Sequence, residues 1–131
     1  MTLFRVGLLL SAACIAACSF EFSTANISEA WLARDDAGKK KTKTFGTKDT
    51  FYCVVHLANA PDDTRIKAVW IAVKCEGAPE NYEIGSAVVT AGSGEVVHKM
   101  TLPKAWPVGA YKVELHLNDE LAKTLEFQVQ S

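Results

Sequence analysis

Between Ala110 and Gln130 the sequence alternates with a period of two, and this pattern constrains the fold more than any other. Tyr111, Val113, Leu115 and Leu117 take one parity, whereas Lys112, Glu114, His116 and Asn118 take the other. Successive side chains of an extended strand point to opposite faces, so such a run buries one face and wets the other. Leu125, Phe127 and Val129 repeat the pattern, with Thr124, Glu126 and Gln128 opposite. Joined at Asn118-Asp119-Glu120, the two runs predict a hairpin with one apolar face, which needs a second apolar layer to cover it.

The same reading predicts seven strands, at residues 27–34, 50–58, 66–75, 83–90, 95–102, 110–118 and 122–130. Turn-forming side chains separate them, at Asp35-Asp36-Ala37-Gly38, Asn59-Ala60-Pro61-Asp62-Asp63 and Gly92-Ser93-Gly94. No stretch keeps a helical period over three turns. Short strands spaced in this way predict an all-β, seven-stranded antiparallel sandwich.

The stretch Trp106-Pro107-Val108-Gly109-Ala110-Tyr111-Lys112-Val113, with Thr124-Leu125-Glu126-Phe127-Gln128-Val129 after the turn, resembles the closing hairpin of bacterial immunoglobulin-like and fibronectin-type-III-like domains. The resemblance implies an immunoglobulin-like sandwich over residues 26–131. It also implies that Tyr111 turns its hydroxyl back to an upstream main-chain group, with Pro107 and Gly109 shaping the corner. The stretch 52–70, with Leu57-Ala58-Asn59-Ala60-Pro61-Asp62-Asp63-Thr64, resembles segments of small bacterial lipoproteins and membrane-attached proteins with this ending. That similarity implies a fold and an address, and brings no activity with it.

The N-terminus bears on the address. Residues 1–17 carry Arg5, the apolar run Val6 to Leu10, then small residues up to Ala17, the order of a cleaved secretory signal peptide. The apolar run is too short to span a bilayer. Ile15-Ala16-Ala17-Cys18 resembles the bacterial lipobox, which implies lipidation of Cys18 and a membrane anchor, with residues 18–25 as a short tether. Ser11-Ala12-Ala13-Cys14 is a second candidate, with Ser in place of an aliphatic residue three positions before the cysteine. Release without lipid after Ala17 is the plainer alternative. Ser19 resembles the residues that permit sorting to an outer membrane, so the expected location is lipid-anchored, facing the periplasm or exterior.

Fourteen basic and fifteen acidic residues leave a formal net charge of −1, which builds no field able to gather nucleic acid. The expected partners are the membrane, through the anchor, and another protein. Neither a Gly-x-Ser-x-Gly elbow nor a His-Glu-x-x-His motif occurs, and Asp62, Asp63, Glu80 and Glu83 fall in loops or at strand ends, where carboxylates usually form solvated turns. The expectation is a non-catalytic module without a cofactor.

Four features are candidates for more specific chemistry. Export permits disulfides, and Cys53 and Cys75 remain as an even pair. The expected strands, however, set them at heights ~13 Å apart, whereas a disulfide needs Cα atoms within ~7 Å. His98 and Met100 stand two apart on one strand and project to the same face; with His56, His116 and the cysteines they are soft or borderline donors for copper or zinc. The His-x-Met pair resembles part of the motif of periplasmic copper chaperones, though the rest of that motif is missing. Lys39, Lys40, Lys41 and Lys43, near Arg34, form a basic cluster partly neutralised by Asp35, Asp36 and Asp49, a candidate contact surface for anionic lipid or wall polymer whose plainer reading is a solvated loop. Trp70 has two readings: the immunoglobulin resemblance makes it a core residue, whereas if Val69, Ile71 and Val73 face inward it lies outward with Ala68 and Ala72, on a flat surface suited to another protein.

Overall fold

The computed structural model describes residues 24–131. The leader-like segment, Cys14 and Cys18 lie outside the described residues. Eight strands follow in chain order: β1 (Asn26–Ala33), β2 (Thr44–Gly46), β3 (Phe51–Ala58), β4 (Thr64–Cys75), β5 (Tyr82–Ala91), β6 (Gly94–Met100), β7 (Gly109–Leu117) and β8 (Glu120–Gln130). They form a three-stranded sheet in the order β1-β3-β6 and a five-stranded sheet in the order β2-β8-β7-β4-β5. This is an all-β sandwich of immunoglobulin-like architecture.

Each of the seven predicted runs forms a strand. The eighth, β2, departs from the expected number and from the antiparallel expectation, because it runs parallel to β8 with Thr44, Phe45 and Gly46 opposite Gln128, Val129 and Gln130. Three residues are too few to show an alternation, and β2 is held by its one inward side chain, Phe45, which is 1% exposed. The β7–β8 turn is tight: Asn118 and Asp119 both take positive φ, 47° and 74°, so β8 starts at Glu120 rather than at 122. Two consecutive left-handed residues match the right-handed twist of the flanking strands, and Asn and Asp tolerate that conformation better than other side chains.

Phe51 of β3 is the hub of the core, where aromatic rings from both sheets meet. It stacks on Trp106, with centroids 4.2 Å apart, and its ring centroid lies 4.8 Å from those of Phe45 and Phe127 and 5.7 Å from that of Tyr111. Trp106 is on the β6–β7 connection and donates its indole N–H to the Asp49 carbonyl at 2.8 Å, so the ring is buried without an orphaned donor.

Trp70 belongs to this core. It is 1% exposed on β4, and Ile66, Ala68 and Ala72 share its face. Of its two readings the core placement holds, and the alternative, an outward Trp70 on an interaction surface, is corrected. Val69 and Ile71 take the opposite parity, opposite Glu114 and Lys112 of β7. The sequence was ambiguous because β4, flanked by β5 and β7, carries apolar side chains on both faces.

Tyr111 donates its hydroxyl to the Pro107 carbonyl four residues upstream. Just before it, Gly109 has φ +152°, and a Cβ there would sit 2.4 Å from the Lys74 carbonyl oxygen and 2.6 Å from the Cys75 Cα. Only glycine lets β7 approach the end of β4 this closely.

Candidate functional site

The chemistry-bearing side chains are distributed over three places, and each is built by strand register. The first is the core face of β6. His98 is opposite Cys53 of β3 and is 3% exposed. Its Nε2 is the one buried side-chain polar atom without a hydrogen-bond partner among the described residues. Desolvation lowers the His98 pKa below 6.5, and a main-chain hydrogen bond with Ile66 opposes this only in part. The ring is therefore held neutral near pH 7.

Met100 shares the core side of β6 but does not join His98. Its Sδ lies 4.0 Å, and its Cε 3.1 Å, from where a Cβ of Gly85 would be. Gly85 is in register with Trp70, four residues along β4 from the Ile66 that His98 approaches. Four residues of strand span ~13 Å, so the tips of the two side chains diverge. Among the described residues, no group of three or more His, Cys, Asp or Glu side chains is placed to hold a metal ion. The alternative reading, a copper or zinc pair at His98 and Met100, finds the two side chains directed to different parts of the facing sheet.

The two described cysteines are both free. Cys53 is in the three-stranded sheet, fully buried, and desolvation pushes its thiol up to about 12. Cys75 ends β4 in the other sheet and donates to the Ala110 carbonyl at 3.2 Å. Burial raises its pKa, a shift that hydrogen bonds to Tyr111 and Lys74 partly offset. The candidate disulfide is absent: Cys53 on the three-stranded sheet and Cys75 at the end of β4 are each a free thiol.

The second place is the outer face of the three-stranded sheet, where residues 34–41 fold back. Asp35 closes this segment by accepting the main-chain N–H of Lys40 at 2.7 Å and of Lys39 at 3.1 Å, and these bonds, led by that from Lys40, lower its pKa. Gly38, with φ +73°, lies against Val54 and accepts the Trp31 indole N–H at 2.9 Å. Lys41 stands over the Trp31 ring, its Nζ 4.3 Å from the centroid. Of the predicted basic cluster, Lys41 is thus engaged with an aromatic face, whereas Lys39 and Lys40 carry exposed side chains on a closed turn.

Next to it runs a row the sequence did not reveal. Glu29, His56 and Glu95 are in register across β1, β3 and β6. His56 Nε2 lies 3.2 Å from Glu95, its Nδ1 lies 3.8 Å from Glu29, and its ring meets Trp31 edge-on at 4.9 Å. The register depends on a bulge between Ile27 and Glu29, which single-residue patterning could not show.

The third place is the outer face of the five-stranded sheet. Lys112, Glu114 and His116 form a ladder along β7, with Lys112 Nζ 3.2 Å and His116 Nε2 3.4 Å from the Glu114 carboxylate. The Lys112 contact is the larger cause of the lowered Glu114 pKa. Beyond β7, an open cleft of about 430 Å³ is lined by Leu32, Lys43, Thr124, Leu125 and Glu126. The ladder residues are not among its lining, so the titratable groups and the cleft are separate.

No family model matches the chain. No curated protein matches it either. Solved structures do. An immunoglobulin-like protein from Pseudomonas aeruginosa superposes with a TM-score of 0.58 at 13% identity, covering 87% of this chain and 100% of that one. The alkylpurine DNA glycosylase AlkC of Pseudomonas fluorescens matches with a TM-score of 0.54 at 15% identity over 83% of this chain. A β-glucosidase from Listeria innocua matches with a TM-score of 0.54 at 15% identity over 86% of this chain. The chain spans only 31% of the glycosylase and 17% of the glucosidase. At these identities the likeness establishes the immunoglobulin-like fold alone.

Proposed function

We propose that this chain is an exported lipoprotein, anchored through Cys18, whose immunoglobulin-like domain is a non-catalytic interaction or structural module of the bacterial envelope. The observation that carries this reading is a complete sandwich beginning within a few residues of the Ile15-Ala16-Ala17-Cys18 motif. A short tether from a lipidated cysteine would hold the domain at the membrane surface. A single acyl chain binds only marginally, and the two or three chains of bacterial lipoproteins make the attachment durable.

Sandwiches of this kind bind through sheet faces, edges and end loops. The polar contacts of this one support such a role, because Asp35 closes a loop, Asp49 holds Arg34 at 3.4 Å, and the Glu114 and His56 networks lie on outer sheet faces where water competes for them. The test is fractionation of the producing cell. The chain is expected in the membrane fraction and Cys18→Ser in the soluble one. A Cys18→Ser protein that stays with the membrane would overturn the anchor. An unaltered envelope in a deletion strain, with no specific partner recovered from solubilised membranes, would overturn the module reading.

A further inference from the structure

Residues 34–50 carry six basic and three acidic side chains, in a chain of net charge −1. Two of the three carboxylates are turned to the main chain. Asp35 holds the N–H groups of Lys39 and Lys40, and Asp49 accepts that of Gly46 at 2.6 Å while pairing with Arg34. Lys39, Lys40, Lys41, Lys43 and Lys48 are exposed, and none of them forms an ion pair among the described residues. The carboxylates fix the loop, and the ammonium groups face outward from it.

Strand register adds a further lysine. Lys41 bridges to Ala33, Ala33 pairs with Tyr52, and Tyr52 pairs with Lys99 of β6. Three strand spacings set Lys41 and Lys99 ~14 Å apart across the sheet. Lys99 is exposed on the outer face, because its neighbour His98 faces the core. Four residues back along β1, ~13 Å away, the row of Glu29, His56 and Glu95 lies on the same face. This face is therefore acidic where the chain enters β1 and basic where it leaves.

We infer that the basic end binds a linear acidic polysaccharide of the envelope, whose repeated carboxylates meet Lys39, Lys40, Lys41 and Lys99 together. A single exposed ammonium–carboxylate contact is weak in water, and salt screens it beyond ~8 Å. Several contacts on one polymer reinforce each other through effective concentration, which selects a repeating chain over a small anion. Two other occupants match the surface less closely. Protein interfaces are poor in lysine and centred on aromatic or arginine anchors. Here Lys41 covers Trp31, and the exposed large hydrophobics among the described residues, Tyr82, Val88 and Leu121, all belong to the five-stranded sheet. The anchoring membrane lies at the other end, because an anchor at Cys18 joins the domain ahead of Asn26 and β1 then carries the chain ~23 Å to Ala33. The inference names a partner for the envelope-module reading and rests on it, since export places the domain among glycans rather than nucleic acids.

Calorimetric titration of the full chain in neutral detergent with polygalacturonate tests the inference. Binding is expected at low salt, weaker by about fivefold at physiological salt, with none to neutral dextran. Lys40→Gln combined with Lys99→Gln should weaken it about fivefold. The thermal melt should not change, because Asp35 holds only main-chain groups of the loop. Lys67→Gln combined with Lys123→Gln removes the same charge from the five-stranded sheet and should leave binding within about twofold. No binding of polygalacturonate overturns the inference, as does equal sensitivity to the two pairs. Displacement of the polymer by phosphatidylglycerol added to the micelles would assign the lysines to lipid headgroups and overturn it too. The titration reads the same with or without lipid on Cys18, and fractionation of Cys18→Ser reads the anchor, so the two proposals fail separately.

Discussion

Replacing Phe51 by alanine should be among the most damaging single truncations in this sandwich. Its ring is fully buried and lies within 6.0 Å, centroid to centroid, of Phe45, Trp70, Trp106, Tyr111 and Phe127, so the void would open on side chains from both sheets. Removal of a buried phenyl ring costs about 3–5 kcal/mol through lost transfer energy and the residual cavity. Five neighbouring aromatics fixed by their own contacts leave little room for collapse, which puts Phe51→Ala in the upper half of that range. A domain of this size loses about 4–6 °C per kcal/mol, so the melting temperature should fall by roughly 16–30 °C. Phe51→Leu retains most of the volume and should cost under about 1.5 kcal/mol. Thermal and urea unfolding followed by near-ultraviolet circular dichroism reads both variants. A loss below about 1 kcal/mol for the alanine variant would refute the placement of Phe51 at the shared core.

Other consequences follow from single sites. Because the folded-state pKa of His98 lies below 6.5, the unfolded chain binds its proton first; this contribution to stability is present above pH 6.5 and is lost as pH falls from there toward the folded pKa. His98→Leu should therefore flatten the decline of stability as pH falls below about 6.5 relative to the parent, and equal slopes in urea titrations would contradict the buried neutral ring. Gly109→Ala should cost at least about 2 kcal/mol, since its methyl would meet the Lys74 carbonyl at 2.4 Å; an unchanged denaturation midpoint would mean that β7 can draw back from β4. In the native protein the Cys53 thiol should resist alkylation at pH 8 while reacting fully in denaturant, and peptide mapping that found it disulfide-linked to Cys75 would overturn the placement of Cys53 as a free thiol buried in the core.

The strands were legible where one face alone is apolar. In β7 and β8 the alternation of Tyr111, Val113 and Leu115 with Lys112 and Glu114 marks the buried parity unambiguously. In β4 it does not, because Val69 and Ile71 compete with Ala68 and Trp70, and only the pairing with β5 and β7 decides. β2 carries no periodic signal, since a three-residue parallel strand is held by β8 rather than by its own pattern. Functional side chains were harder to read than strands, for a geometric reason. The sequence spacing of His98 and Met100 gives a shared face, but their reach into the other sheet sends one toward Ile66 and the other toward Gly85. Glu29, His56 and Glu95 become neighbours only through a bulged register over three strands.

The envelope-module reading depends above all on the chemistry at one position, Cys18. Intact-mass and N-terminal peptide analysis of the protein recovered from its native host tests it most directly. The account predicts a chain that begins at Cys18 and carries a diacylglycerol on its sulfur. A chain with an unmodified Cys18, or one that retains residues 1–17, would contradict it.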